Sequence, residues 1–251
     1  MEQSRRTFTR DMLGSLLVFS LMESLSVGNL FGKTIKPIAA KWLLDLEHLS
    51  QDLRGKKLKQ PAWHQKIAEL FARVDLEDVL RTIDYDRLAQ GIKLPADREA
   101  ARAIELPKIE GLPELSFVTL FFALKKDAAI VPHAHQNLAT MHLILDGTVR
   151  LQQFDRVHSD AEYLTIKPTI DKTATRRDLS LITDEKDNIH WFKGISERTF
   201  TFNIGIYGVD PKEKTIYREY LDPLGGEKLS DGSIRAKRIK QDEAYRLYGR
   251  L

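Results

Sequence analysis

Pro132-His133-Ala134-His135, read together with Asn188-Ile189-His190-Trp191-Phe192 downstream, decides how the chain folds. Side chains on an extended strand alternate between two faces, so His133 and His135 share one face while Ala134 takes the other. A third histidine carried in on a later antiparallel strand would complete three imidazole nitrogens around one point. That reading needs strands on both sides of it, and the sequence supplies them.

From Ser116 onward the texture is that of short strands. Phe117 to Phe122 is rich in aromatic and β-branched residues, and Lys125-Lys126-Asp127 follows as a turn. Further runs are Ile130 to His135, Met141 to Leu145, Thr148 to Phe154, Tyr163 to Pro168, Asp178 to Ile182, Asn188 to Phe192 and Thr199 to Tyr207. Short strands separated by polar or glycine turns predict a mainly β barrel or sandwich. Asp146-Gly147 reads as a tight turn between two antiparallel strands. In the run 199–207, Phe200, Phe202, Ile204 and Ile206 alternate with Thr199, Thr201, Asn203 and Gly205, giving one apolar face and one polar face suited to a pocket. Trp191 and Phe192 take opposite faces, one expected in the barrel and the other under N-terminal helices.

Those helices are expected over residues 36 to about 92. Ile38, Trp42, Leu46, Leu49 and Leu53 recur at helical spacing, with Gly55 as a stop. Pro61 opens a second helix carrying Trp63, Ile67, Leu70, Phe71 and Val74. Asp75 caps a third with Leu76, Val79, Leu80, Ile83 and Leu88 as its stripe. His48 and His64 fall in these helices and read as surface or packing residues. The tail from Gly208 is turn-rich, then charged and helical near Gln241 to Tyr248.

The chain has no cysteine, which removes disulfides, thiolate ligands and cysteine nucleophiles. A net charge of +3 is small, and the basic patches Lys56/Lys57/Lys59 and Arg235/Lys237/Arg238/Lys240 lack interleaved aromatics. They read as solvated faces, and no nucleic-acid partner is expected.

Ser4-Arg5-Arg6-Thr7-Phe8-Thr9, followed by the apolar run Met12 to Met22, resembles a twin-arginine export signal. The run is too short for a membrane span of about 20 residues, and Glu23 follows it. The resemblance implies the twin-arginine translocation machinery as a partner and a periplasmic or exported protein, with cleavage near Ala39-Ala40 or an uncleaved, membrane-tethering signal. The competing reading is an amphipathic helix with a chance Arg-Arg pair.

The His-x-His pair with Gly147 twelve residues on, and the later His190, resemble the two motifs of the cupin superfamily. The resemblance implies a cupin (double-stranded β-helix, or jelly-roll) barrel over 105–222, with a signal segment at 1–34, a helical extension at 35–104 and a C-terminal tail at 223–251. Many cupins add a glutamate four or five residues after the second histidine. Ala139 and Thr140 stand there, so the metal ligands implied are His133, His135 and His190 alone. Three histidines without that glutamate resemble the thiol dioxygenase branch, which holds cysteine and cysteamine dioxygenases. This implies Fe(II), O2 and a small thiol, with Zn or another divalent metal as the alternative. Three facial nitrogen ligands leave adjacent positions open for substrate and dioxygen.

Tyr207, seventeen residues after His190, matches the active-site tyrosine of cysteine dioxygenase and is the implied catalytic residue. The plain alternative is a rim-packing aromatic. Thr140, Asn203 and Gly205 depart from that enzyme's pattern, and its substrate-carboxylate arginine has no counterpart before His133, which argues against free cysteine. Arg150, Arg176 and Arg177 are candidates for gripping an acidic substrate, and surface salt bridges explain them equally well. His158 reads as a turn residue, and the direction of His142 stays open. Ligand binding without turnover, an accessory role, or another cupin reaction remain rival functions. Oligomeric state is not set by the sequence.

Overall fold

The computed structural model describes residues 41–107, 114–213 and 215–250. The export-signal reading, Ile38 and Ala39-Ala40 lie outside the described residues.

Among the described residues four helices come first: α1 (Lys41–Arg54), α2 (Gln60–Arg73), α3 (Leu76–Ile83) and α4 (Tyr85–Gly91). Pro61 sits in the first turn of α2, where its missing N–H costs nothing. Asp75 caps α3 by accepting the Glu77 N–H at 3.1 Å. The single third helix expected through Leu88 is broken. Asp84 adopts φ 58°, ψ 54°, a left-handed conformation that closes α3 and starts α4. At the end of α1 the positive-φ residue is Lys56 rather than Gly55.

Eleven strands are described: β1 (Ala100–Ala103), β2 (Val118–Lys125), β3 (Ala129–Gln136), β4 (Leu138–Asp146), β5 (Val149–Ser159), β6 (Tyr163–Ala174), β7 (Leu179–Ile182), β8 (Ile189–Gly194), β9 (Arg198–Tyr207), β10 (Tyr217–Lys228) and β11 (Ile234–Ile239). A last helix, α5 (Gln241–Tyr248), lies where the sequence places it. All strand pairs are antiparallel. One sheet runs β1-β2-β9-β4-β7, and β10-β11-β6-β5-β8-β3 form a closed barrel. The mainly β architecture with helices ahead of a barrel is therefore as expected. Residues 223–251 are more than a tail, because β11 bridges β10 and β6 and so closes the ring.

Alternation along β9 explains the layering. Phe200, Phe202, Ile204 and Ile206 join Trp42, Leu46, Trp63, Ile67 and Phe71 in one large core beneath the helices. Full burial of each such side chain contributes about 1.5–3 kcal/mol. The opposite face of this sheet looks toward the barrel, where Phe122 and Ile144 meet Ile130, Leu151 and Phe192. Trp191 takes the other side of β8. It packs under the C-terminal helix, its ring 5.1 Å from that of Tyr248, and not under the N-terminal helices as the sequence suggested. Only a strand's two faces are legible from alternation, not which helix covers each.

The Asp146-Gly147 turn also differs from expectation. β4 belongs to the five-stranded sheet and β5 to the barrel, so the turn carries the chain between sheets and does not join a paired hairpin. Asn137, with φ 58°, makes the corresponding crossing from β3 to β4. Gly147 has φ +81°, and a Cβ there would sit 2.3 Å from the Arg198 carbonyl oxygen. Replacing Gly147 with alanine is expected to destabilise the fold by at least the roughly 1–3 kcal/mol of a non-glycine residue held at such φ. The urea unfolding midpoint measures this, and an unchanged midpoint would refute the crossing's rigidity.

Candidate metal centre

β3 and β8 pair so that His133 lies opposite His190, while His135 is two positions along. A register shift between Ile130 and His133 re-aims the strand, so that Ile130 and His133 face the same way despite their odd separation. The three rings converge: centroids are 4.2 Å apart for His133 and His190, 4.6 Å for His133 and His135, and 5.2 Å for His135 and His190. One nitrogen from each lies within 4.8 Å of the others, and all three residues are buried. The structure thus brings together the three histidines that the sequence singled out.

The closed ring sets their position within the fold. Ala134 and Ile189, on the opposite strand faces, fill the inside of the closed ring with Phe154, Leu164, Ile166, Leu221 and Ala236. The histidines face outward from that ring toward the five-stranded sheet. The cavity they line is therefore between the two sheets, with β2, β4 and β9 as its far wall.

Electrostatics favour neutral imidazoles. Burial pushes His133 down to about 3, with the Arg218 guanidinium adding to the effect. Burial likewise holds His135 and His190 well below the usual histidine range, helped by His133 nearby. His133 Nδ1 lies 2.8 Å from the Val131 carbonyl oxygen, which fixes the proton on Nδ1 and leaves Nε2 as a lone pair. His133 Nε2 and His190 Nδ1 are buried without hydrogen-bond partners. Buried polar atoms left unmatched are costly, and three neutral nitrogens facing one point fit a divalent cation.

The shell behind them is built. Asn188 Nδ2 donates to the His135 carbonyl at 2.9 Å and to the Thr183 carbonyl at 3.0 Å. Arg156 Nη2 reaches the same His135 carbonyl at 3.0 Å and the Asn188 Oδ1 at 2.6 Å. Together they tie the backbone of His135 to the start of the strand that carries His190. Gln153, opposite His190 on β5, donates to the Leu181 carbonyl at 2.9 Å and leaves Oε1 without a partner.

Tyr207 lines the cavity, as does His142, whose direction the sequence left open. Burial raises the Tyr207 phenol above its usual range, keeping it protonated and able to donate. Two residues were missed by the sequence reading, Arg218 and Glu99. Arg218 sits opposite His135 on β10, with Tyr220 opposite His133, so register alone aims both at the histidine face. Burial raises the Tyr220 phenol, and the Arg218 guanidinium beside it pulls it back down. Glu99 precedes β1 and accepts from the Tyr245 hydroxyl at 2.9 and 3.0 Å. Burial pushes its carboxyl up. The Tyr217-Arg218-Glu219-Tyr220 alternation was the available signal for Arg218, but β10's pairing with β3 is not readable locally.

The three candidate arginines lie elsewhere, and for Arg150 and Arg176 the surface salt-bridge reading holds. Arg150 pairs with Asp171 at 2.7 Å, Arg176 pairs with Glu77, and Arg177 donates to the Val74 carbonyl at 3.1 Å. His64 lies 3.2 Å from Asp187, a packing contact between α2 and the loop before β8, and His158 is exposed on β5. The cavity has room for about one water, ≈ 20 Å³.

Fold and site together define a β protein with a closed barrel and a buried three-histidine cluster facing a second sheet. No family model and no curated protein matches the sequence. Among solved structures, the chain is similar to a cupin superfamily protein from Desulfitobacterium hafniense, at 15% identity and a TM-score of 0.33, over 48% of this chain and 87% of that one. It is also similar to procruciferin, an 11S globulin from Brassica napus (13% identity, TM-score 0.32, 42% of this chain and 23% of that one). Vicilin from Capsicum annuum matches at 8% identity and a TM-score of 0.32, over 41% of this chain and 25% of that one. The chain spans about a quarter of the globulin and vicilin chains it matches.

Proposed function

We propose that this protein is a cupin-type metalloprotein that oxidises a small thiol with dioxygen, its cation held by His133, His135 and His190. The observation that carries the reading is the convergence of three neutral, buried imidazoles with no carboxylate among them. Fe(II) is the ion proposed, with zinc the alternative. A bound redox-active cation would supply the activation of O2, both atoms of which go to the thiol sulfur to give a sulfinic acid.

The chain's own groups then have distinct tasks. A ligand set of three neutral nitrogens leaves the ion's charge uncompensated, which favours an anionic sulfur over a neutral one. Arg218 adds fixed positive charge to the same cavity and suits a substrate with a second anionic group. Tyr207 donates its hydroxyl hydrogen into the cavity, where it orients whatever acceptor lies beside the histidines. The enclosing walls exclude bulk water. We further propose that the N-terminal twin-arginine pattern exports the protein to the periplasm, which fractionation of cells expressing it tests.

Protein purified under anaerobic conditions is expected to contain near one iron per chain and to consume O2 with a carboxylated thiol faster than with the same thiol lacking the carboxylate. No uptake with any thiol in iron-loaded protein would reject the enzymatic reading. The rival reading is ligand binding at the same site without turnover. Tight thiol binding with no oxygen consumption would establish that one.

A further inference from the structure

His142 is unused by the chemistry above. It is not one of the three clustered histidines, yet it is buried in the wall of the same cavity, on the facing sheet, with its ring centroid 5.7 Å from that of His190. The rings of Phe122 and Phe192 flank it, each 5.1 Å away between centroids. Those faces offer it no polar partner. Its Nδ1 lies 3.0 Å from Thr201 Oγ1.

With an acceptor in the cavity, that contact selects one tautomer. Thr201 is itself buried, and its hydroxyl has no other hydrogen-bond partner among the described residues. If Nδ1 carried the proton and donated it, the threonine hydrogen would be left buried and unmatched. If the threonine donates, its hydrogen and Nδ1 are both satisfied, and the ring's own proton is matched as soon as an acceptor sits in the cavity. The imidazole proton then sits on Nε2, the polar edge that His142 has left for the cavity.

We propose that His142 is a further ligand-contacting residue of this site, its Nε2–H donating a hydrogen bond to a small anion or to an acceptor atom of a substrate bound beside His190. The inference rests on the three-histidine centre being a metal site. It requires only a neutral ring used as a donor. The wall so formed places one donor on β4 opposite the cation, with Arg218 and Tyr207 at the side, and selects ligands that present an anionic atom to each.

The experiment uses the full chain loaded with cobalt(II), with azide as the probe and visible absorption as the readout. In the wild type, azide is expected to shift the cobalt bands. His142→Phe keeps the ring shape but removes the donor, and is expected to weaken azide about 10- to 100-fold while leaving cobalt affinity unchanged. His142→Gln, which restores an N–H, is expected to recover most of the loss. Histidine nitrogen NMR on the wild type needs no variant, and is expected to show Nε2 protonated and Nδ1 bare at position 142. Cobalt uptake with equal azide affinity in His142→Phe, or a proton found on Nδ1, overturns the assignment of His142 alone. Failure of the wild type to take up cobalt overturns the metal reading and this inference with it.

Discussion

Substituting alanine for His190 is expected to abolish stoichiometric metal binding while leaving a folded protein. The imidazole is one of three nitrogens that meet within 4.8 Å, and its removal leaves two neutral ligands on a single strand. Loss of an outer-shell partner alone costs metal sites about 10- to 100-fold in affinity, so loss of a direct ligand is expected to exceed that range. The cost to the metal-free fold is smaller. Burial has already stripped the ring of water, and its Nδ1 has no hydrogen bond to lose. What goes is its packing against Phe192 and His133. Metal content after dialysis, with zinc and iron titrations, measures the first effect, and circular dichroism with urea unfolding measures the second. His158→Ala, an exposed histidine on β5, serves as the control. Equal metal stoichiometry in His190→Ala and the control would show that the three rings hold no ion.

The site was legible because its signal is short-range. His-x-His on a strand fixes two side chains on one face whatever the rest of the fold does, and a third histidine in a later strand completes a pattern with few competing explanations. Tyr207 was singled out by the resemblance to cysteine dioxygenase, not by alternation. Arg218 and Glu99 were not, because their place depends on which strand lies beside β3 and on how the segment before β1 returns to the sheet. Those are long-range pairings with no local residue code. Which strand faces enclose the cavity was not readable for a related reason. Alternation shows that Ala134 and His135 face opposite ways, but not which face looks into the ring. The register shift between Ile130 and His133 further hides the parity. Breaks at Asp84 and Lys56 escaped notice because a non-glycine left-handed residue carries a weak sequence signal.

The same buried imidazoles make the metal-free protein sensitive to mild acid. In the folded state burial holds His133 and His142 to about 3, and His135 and His190 well below their usual value, whereas in the unfolded chain all four titrate near 6.5. Between those limits the unfolded chain takes up protons that the folded one refuses. Stability is therefore fully present above about pH 6.5 and falls as pH drops through that value. Each histidine contributes a slope of up to about 1.4 kcal/mol per pH unit. Four acting together consume a sizeable part of the roughly 5–15 kcal/mol that holds an ordinary domain. Glu99 and Asp184, both raised by burial, act in the opposite sense as they protonate. Their two contributions do not cancel four. The carboxyls held low by partners, Asp178 and Asp187 among them, enter only at more acid pH, below the ordinary 3.8. The urea midpoint of metal-free protein is thus expected to fall steeply between pH 6.5 and 5. A variant with asparagine at 133, 135 and 190 is expected to show a much flatter profile. A wild-type midpoint that stays level over that interval would mean that water reaches the histidines, and the enclosed cavity between the sheets would have to be abandoned.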